Sequence, residues 1–269
     1  MRTIDKAVKE RVFTPRKSQS HKGDYGTVGF ISGSIGMAGA CVLNVQAAMR
    51  VGAGLTMALV PPAIYEVVEA SSLETITVPF YDMADVDKLL ESCDVIASGS
   101  GSANFCEYEE ILRYVLKNAK VPLILDATAL RVLTLEEMKQ YQYPLIITPH
   151  MGEMSALVGH ELSEDVAQEV AKKYDLIVVL KGSSTIIAFP DGEVVVSHYG
   201  NPGMATAGTG DVLCGVLAGI VAQHDVLEKS VQAGVLIHGL AGDLAVEKIG
   251  EYSLIASDLI TYLPMAIRK

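Results

Sequence analysis

The stretch GNPGMATAGTGDVLCGVLAG, residues 200–219, sends four glycines, two threonines and one aspartate into an unbroken apolar run. The run DVLCGVLAGIVAQ, 211–223, has the composition of a buried helix, and Gly208-Thr209-Gly210 lie at its start. The first N–H groups of a helix have no intrahelical partner, and the macrodipole makes that end positive. Glycines there admit positive φ and let the backbone approach a phosphate closely. Gly208, Thr209 and Gly210 are therefore a candidate anion hole. A carboxylate beside such a site is unfavourable unless it does chemistry, and taking a proton from an attacking hydroxyl is suitable chemistry. On spacing alone Asp211 reads equally as that base or as a helix cap. The segment is not a P-loop, because no Gly-Lys-Ser/Thr follows, and Leu213 stands where a dinucleotide fingerprint needs its third glycine.

Outward from this segment the chain alternates strand-length apolar runs with helical patterns. GTVGFISGS (26–34), LTMALVP (55–61), CDVIASGSG (93–101), VPLILDATAL (121–130), YPLIITPH (143–150) and DLIVVLKG (175–182) read as strands. AGACVLNVQAAMRVGAG (38–54), FCEYEEILRYVLKNA and SEDVAQEVAKKY read as helices, and STIIAFPDGEVVVSHYG reads as a hairpin turning at Asp191-Gly192. The last third is helical. This alternation predicts an α/β fold, three αβα layers with a mostly parallel central sheet flanked by helices. No linker or composition shift divides the chain, so residues 1–269 read as one domain.

Several strands end in small or functional residues, namely Ser32-Gly33-Ser34, Gly99-Ser100-Gly101, Asp126, Thr148-Pro149-His150 and Lys181-Gly182. Ligands of open α/β sheets bind at the carboxyl ends of strands, so these tips predict one glycine-lined cleft. Lys181-Gly182-Ser183-Ser184-Thr185 can hold a nucleotide's phosphate or ribose, or be an ordinary turn. In TPHMGE (148–153), Glu153 can hold a magnesium ion through water. It can equally close a helix cap and leave His150 in a loop. Asp126, after wholly apolar residues, sits either at the cleft or on the next helix. His21 and Lys22 in SHKGDYG face an anion or are solvated. His160, His198, His224 and His238 have no informative spacing and read as structural.

Composition narrows the classes. Formal charge is −11 and half of the 269 residues are apolar. This balance repels nucleic acid and anionic membrane surfaces, leaving room for one locally positive pocket. Cys41, Cys93, Cys106 and Cys214 form no CxxC and no zinc spacing, which points to a reduced, cytoplasmic protein. The N-terminal segment is charged, without the apolar core of a signal peptide, and no apolar run reaches membrane-spanning length.

In order along the chain, HKGDYG, GSIGMAGA with AAMRVGAGL, GSG, LDATAL, TPHMGE, LKGSST, NPGMATAGTGDVL and SLIASDLITYLP resemble the ADP-dependent NAD(P)H-hydrate dehydratases of the ribokinase-like superfamily. The resemblance covers nearly the whole chain and implies a ribokinase-like fold. The implied substrate is the S form of hydrated NADH or NADPH, with ADP as co-substrate and Mg2+. Phosphorylation of the added hydroxyl and loss of phosphate would give reduced cofactor, AMP and phosphate. By position, Ala40, Gly101, His150 and Asp211 would contact the hydrate. Lys181 through Thr185 and Gly210 would hold the nucleotide, with Asp211 as base. The resemblance also implies a homo-oligomer, a tetramer, without the epimerase domain fused ahead in some relatives. Two motifs depart from the family's. Gly99-Ser100-Gly101-Ser102-Ala103 stands in place of GPGLG, and Asp126-Ala127-Thr128-Ala129-Leu130-Arg131 in place of DADALN. The rival readings are an ATP-dependent kinase of a hydroxymethylpyrimidine or pyridoxal-like alcohol, and an inactive nucleotide-binding protein that would not need Asp211.

Overall fold

The computed structural model describes residues 1–268. Ten strands form one sheet: β1 (Arg2–Thr3), β2 (Thr27–Ile31), β3 (Leu55–Val60), β4 (Thr75–Pro79), β5 (Val95–Ser98), β6 (Leu123–Leu125), β7 (Leu145–Ile147), β8 (Ile177–Leu180), β9 (Thr185–Ala188) and β10 (Val194–Ser197). Their order is β1-β10-β9-β8-β7-β6-β5-β2-β3-β4. Every neighbouring pair is parallel except β8–β9 and β9–β10, so β9 alone runs against the rest. The expected hairpin is β9–β10, and Gly192 takes the positive φ of 93° in its turn.

The helices among the described residues are α1 (Val8–Val12), α2 (Ala38–Arg50), α3 (Tyr65–Ser71), α4 (Met83–Ser92), α5 (Tyr108–Asn118), α6 (Thr128–Val132), α7 (Leu135–Met138), α8 (Met151–Val158), α9 (Val166–Tyr174), α10 (Thr209–Val221), α11 (Leu227–Ile249) and α12 (Ala256–Arg268). Side chains alternate across a strand, so a strand buried on both faces must be apolar throughout. In β6, Ile124 joins the core beneath α1, α2, α3, α10, α11 and α12, whereas Leu123 and Leu125 join the core beneath α4 to α9. The same division runs through β5, β7 and β8 and gives the three layers. Strand β4 was not marked in the sequence. Its Thr-Ile-Thr-Val pattern is half polar and ends in proline, as suits the sheet edge it occupies.

The strand order fixes where a ligand can enter. From β2 the chain builds outward through β3 and β4, then returns to pair β5 with β2 and builds the other way. Helix α2 packs on one face and α5 on the other, so the loops after β2 and β5 part at the carboxyl edge. Helix α10 lies against α2 and across β5 and β6. Two glycines permit that approach. A Cβ on Gly219 would lie 2.6 Å from Val51 Cγ2 and 2.7 Å from the Ala48 carbonyl oxygen. On Gly215 it would collide with the Asn44 carbonyl oxygen and lie 2.9 Å from Ala47 Cβ. No helix among the described residues is long and apolar enough to cross a membrane.

In an unhindered helix Gly→Ala stabilises by about 1 kcal/mol. Against a facing backbone, overpacking costs about 1–3 kcal/mol or more. Gly215→Ala is therefore expected to lower the urea midpoint. Gly39→Ala in α2, where a Cβ meets open space, is the control and should leave it unchanged or raised. A Gly215→Ala protein as stable as the parent would show that α2 can yield.

Candidate active site

The parted loops are shaped by glycine. Gly99 and Gly101 follow β5 with φ of 119° and 66°. A Cβ on Gly101 would sit 2.6 Å from Ala40 Cβ and 2.9 Å from the Met37 carbonyl oxygen, so the β5 loop lies directly against the first turn of α2. Ala40 and Gly101, predicted to share a ligand, are thus neighbours in the crevice. Beside them Asp126 ends β6 with only 2% exposure. Its Oδ1 accepts from Lys181 Nζ at 2.7 Å and from Thr148 Oγ1 at 2.8 Å, and Ser100 Oγ donates to its Oδ2 at 3.4 Å. Asp126 therefore belongs to the cleft. The next residue, Ala127, holds φ 47°, a left-handed conformation unusual for alanine that is kept only where surroundings enforce it. Burial pulls the Lys181 pKa down, but the Asp126 and Glu153 carboxylates outweigh it and leave it raised.

Above these tips α10 begins. Its N-cap is Gly208, with φ 92°, where a Cβ would lie 2.6 Å from Leu43 Cδ1 and 3.0 Å from Ala256 Cβ. Thr209 Oγ1 donates to the carbonyls of Met204 and Thr206, and His238 Nε2 lies 3.0 Å from the Thr209 carbonyl. Asp211 is the third helical residue. No backbone N–H among the described residues donates to its carboxylate, so the capping reading fails. Its backbone carbonyl accepts from Asn44 Nδ2 at 2.7 Å, which pins the first turn to α2. Burial, reinforced by the Asp126 charge, raises the Asp211 pKa to about 6, while Ser100 and Lys181 pull it back in part.

A cavity of about 560 Å³ adjoins the α10 N-terminus. Lys181, Gly182, Ser183, Thr185 and Gly210 line it, as does Thr209, and a Cβ on Gly210 would lie 3.5 Å from Lys181 Nζ. Ser184 is not among the lining residues; its hydroxyl lies 2.9 Å from His198 Nδ1. His150 lines this cavity. It is the N-cap of α8: Glu153 Oε2 accepts from the His150 N–H at 2.9 Å, and the Glu153 N–H donates to His150 Nδ1 at 3.2 Å. The same Oε2 lies 3.9 Å from Lys181 Nζ. Glu153 is thus a capping residue that also faces the cleft, with Oε1 outside the cap. Among the described residues no cluster of three His, Cys, Asp or Glu could cage a metal. His21 and Lys22 lie before β2, at the opposite edge of the sheet, and His21 is exposed. A larger groove of about 870 Å³ at Arg16, Tyr25 and Gly52 also lies away from the strand tips.

Sequence reading overlooked three members of this set. Asn44 is the one amide buried within the apolar pattern of α2, a signal that was present. Ser100 was marked only as a strand tip. His238 lines the cavity, and its pKa is lowered to about 4 by burial, so it is neutral at the α10 backbone.

A family model described as NAD(P)H-hydrate dehydratase matches residues 28–265. The chain belongs to that family. It is 35% identical over 272 residues to the bifunctional NAD(P)H-hydrate repair enzyme of Moorella thermoacetica, covering 94% of this chain and 51% of that protein. The chain thus spans about half the length of its bifunctional relatives. With the ADP-dependent (S)-NAD(P)H-hydrate dehydratase of Bacillus subtilis it shares 33% identity over 261 residues, 94% of this chain and 93% of that one. A crystal structure of the ADP/ATP-dependent NAD(P)H-hydrate dehydratase from Bacillus subtilis, co-crystallised with ATP/Mg2+, matches with a TM-score of 0.88. The identity is 29%, over 99% of this chain and 98% of that one. A ribokinase-like superfamily protein of Enterococcus faecalis matches with a TM-score of 0.92 at 29% identity, over 99% and 95%. The fold of this NAD(P)H-hydrate dehydratase family member is accordingly the ribokinase-like three-layer αβα fold.

The raised Asp211 pKa carries a stability consequence. A carboxyl whose folded pKa exceeds its unfolded value stabilises the fold below the unfolded pKa, near 4. That contribution is lost as pH rises through about 6. About two pKa units bound the effect at roughly 3 kcal/mol, less for a partly buried group. Asp211→Asn removes the ionisation, so the variant should melt above the parent at pH 8. The gap should close as pH falls towards 4; a gap independent of pH would remove burial of the Asp211 charge as its cause.

Proposed function

We propose that this chain repairs hydrated NADH or NADPH, dehydrating the S-hydrate with ADP as co-substrate, and that residues 1–269 act as one domain. The observation that carries this reading is the uncapped Asp211 carboxylate in the first turn of α10, a turn that Asn44 pins to α2 and whose Gly210 lines the cavity at Lys181. The adenine nucleotide occupies the cavity, held by Lys181, Gly182, Ser183, Thr185 and Gly210, with Ser184 at its rim. The Gly208, Thr209 and Gly210 N–H groups and the Lys181 ammonium meet the phosphates, in the manner of an anion hole. The hydrate lies against Ala40 and Gly101, with His150 at the cavity side.

Asp211 takes the proton of the added hydroxyl as its oxygen attacks the terminal phosphorus of ADP, and the bond to AMP breaks. Phosphate then leaves the carbon as the neighbouring C–H proton is lost, restoring the double bond. The products are reduced cofactor, AMP and phosphate. Positioning and charge stabilisation carry such a transfer, with little covalent work for the protein. A base whose pKa is near 6 is ionised at neutral pH yet basic enough to act. Magnesium, which keeps much of its hydration, would be held by the nucleotide phosphates with Glu153 reaching it through water, and would offset phosphate charge. Glu153 Oε1, outside the cap and 3.6 Å from His150 Nε2, is the oxygen that would face such a water. The same reading places the enzyme in the cytoplasm as a homo-oligomer, a tetramer, acting on nucleotides and not on nucleic acid or membranes. Buried free thiols at Cys41, Cys93 and Cys214 support a reducing location.

The test is recovery of near-ultraviolet reduced-nicotinamide absorbance from S-hydrate plus ADP, with AMP and phosphate quantified and ATP as the alternative nucleotide. Asp211→Asn is expected to lower kcat about 10²–10⁴-fold, the usual weight of a general base, with ADP binding by calorimetry retained. Unchanged turnover would remove Asp211 as base. Failure of the hydrate, with phosphorylation of a vitamin-like alcohol instead, would overturn the substrate.

A further inference from the structure

Two side chains from different helices reach the carbonyls in the first turn of α10. Asn44 of α2 donates to the Asp211 carbonyl at 2.7 Å, and His238 of α11 sets Nε2 3.0 Å from the Thr209 carbonyl. The two bonds end on peptides of different kinds. The Asp211 carbonyl shares its peptide with the Val212 N–H, which donates to the Gly208 carbonyl at 3.0 Å. The Thr209 carbonyl shares its peptide with the Gly210 N–H, which has no acceptor among the described residues. Gly210 and His238 both line the cavity of about 560 Å³. His238 therefore holds the oxygen end of a peptide whose nitrogen end is unspent.

A carbonyl accepts and cannot donate, so Nε2 carries the imidazole hydrogen and Nδ1 is bare. Burial lowers the His238 pKa to about 4, the Thr209 carbonyl opposing it and the Lys181 charge adding to it, so the ring is neutral. The bond is not needed to satisfy the carbonyl. Helical geometry already gives the Thr209 oxygen to the Leu213 N–H, four residues on. A second donor on that oxygen draws electron density from the peptide, and hydrogen bonds in series strengthen one another where polarity is low. Lys181 Nζ lies 3.5 Å from where a Gly210 Cβ would stand, so ammonium and peptide sit side by side. The helix that carries the ring is fixed as well: a Cβ on Gly239 would lie 2.7 Å from Tyr199 Cβ and from the Tyr199 carbonyl oxygen, so α11 packs directly on the wall after β10.

We propose that His238 is a positioning residue for the anion hole, its Nε2–H fixing and polarising the Thr209–Gly210 peptide so that the Gly210 N–H is presented to the phosphoryl group. This rests on the nucleotide occupying the cavity at Lys181. The donor is uncharged, so it sharpens one N–H without setting a second cation beside Lys181. Held on a packed helix, it is already in place when charge develops on the phosphoryl oxygens, and little reorganisation is needed. Asn44 sets where the first turn of α10 lies, and His238 sets how strongly one of its N–H groups donates.

The experiment compares the parent with His238→Asn and His238→Gln. A glutamine amide can set its N–H where Nε2 stands, an asparagine amide stops near Nδ1, and both variants lose the ring. Nitrogen-15 NMR of the parent imidazole should show a protonated Nε2 and a bare Nδ1. The opposite tautomer, or an imidazolium at neutral pH, overturns the proposal without any variant. The Gly210 amide proton, assigned by its loss in Gly210→Ala, should move upfield in His238→Asn and return in His238→Gln. By calorimetry His238→Asn should bind ADP about fivefold more weakly than His238→Gln, the scale of one hydrogen bond, while the two bind adenosine equally. Its kcat for the hydrate should be about tenfold below that of His238→Gln, short of the roughly 10²–10³-fold lost when an oxyanion donor is removed outright. A role only as cavity wall would weaken ADP and adenosine alike and leave the Gly210 proton in place, and that result overturns the proposal. If ADP does not bind the parent, the nucleotide reading fails instead, and the Gly210 proton still decides whether His238 polarises that peptide. Should His238→Asn fail to fold, His238→Ser is read against His238→Gln in the same way, and an unmoved Gly210 proton there also overturns the proposal.

Discussion

The near contact of two helix backbones, α10 on α2, fixes the position of everything chemical in this molecule. Gly215 and Gly219 remove the side chains that would hold the axes apart. Asn44, on the facing side of α2, then reaches the first turn of α10. The positive end of α10 comes to rest where the sheet changes direction between β2 and β5, the place such folds leave open for ligands. The glycine-rich apolar half of residues 200–219 and its polar half are therefore one device. One half sets the depth of the helix, and the other uses that depth.

A chain of net charge −11 keeps a locally positive field at the strand tips by concentrating few positive groups rather than many. Lys181 and the α10 N-terminus supply that field, and Asp126 anchors the ammonium where it is needed. Burial separates this pair from an exposed one such as Arg113–Glu109. Solvent screening and side-chain entropy leave that one contributing little. With one partner removed, the buried pair would leave a bare charge beneath the strand tips. The same low polarity pushes Asp211 towards neutrality, so the site needs donors to counter it.

Much of the architecture was legible because strands buried on both faces must be apolar and must stop where the chain meets the cleft. The tips at Gly99–Gly101, Asp126, Thr148 and Lys181 all fell in place for that reason. The spacing of 208–211 could not say whether Asp211 capped its helix, because that depends on Gly208 adopting positive φ against Leu43 and Ala256 from distant segments. The pairing of Lys181 with Asp126, 55 residues apart, is a property of strand order, which local pattern does not encode. His238 carried no signal, since a histidine on an apolar helix looks alike whether it faces a core or a cavity. Ser184, within a run of hydroxyls, was indistinguishable from Ser183 until the hairpin gave them different surroundings.

The single strand that runs against its neighbours, β9, gives the cavity at Lys181 a property of its own. Because β8, β9 and β10 form a continuous ladder, Lys181–Thr185 after β8 and Tyr199–Met204 after β10 are two walls hung from one fabric. Strand register, Leu180 opposite Ile186 and Ser197 opposite Thr185, launches both walls from the same sheet edge. Helix α11 then fixes the second wall, where Asp243 accepts from the Gly200 N–H and from Asn201 Nδ2. A deletion within the Asp191-Gly192 turn, outside the cavity lining, would therefore disturb the wall after β10 through the ladder that carries it.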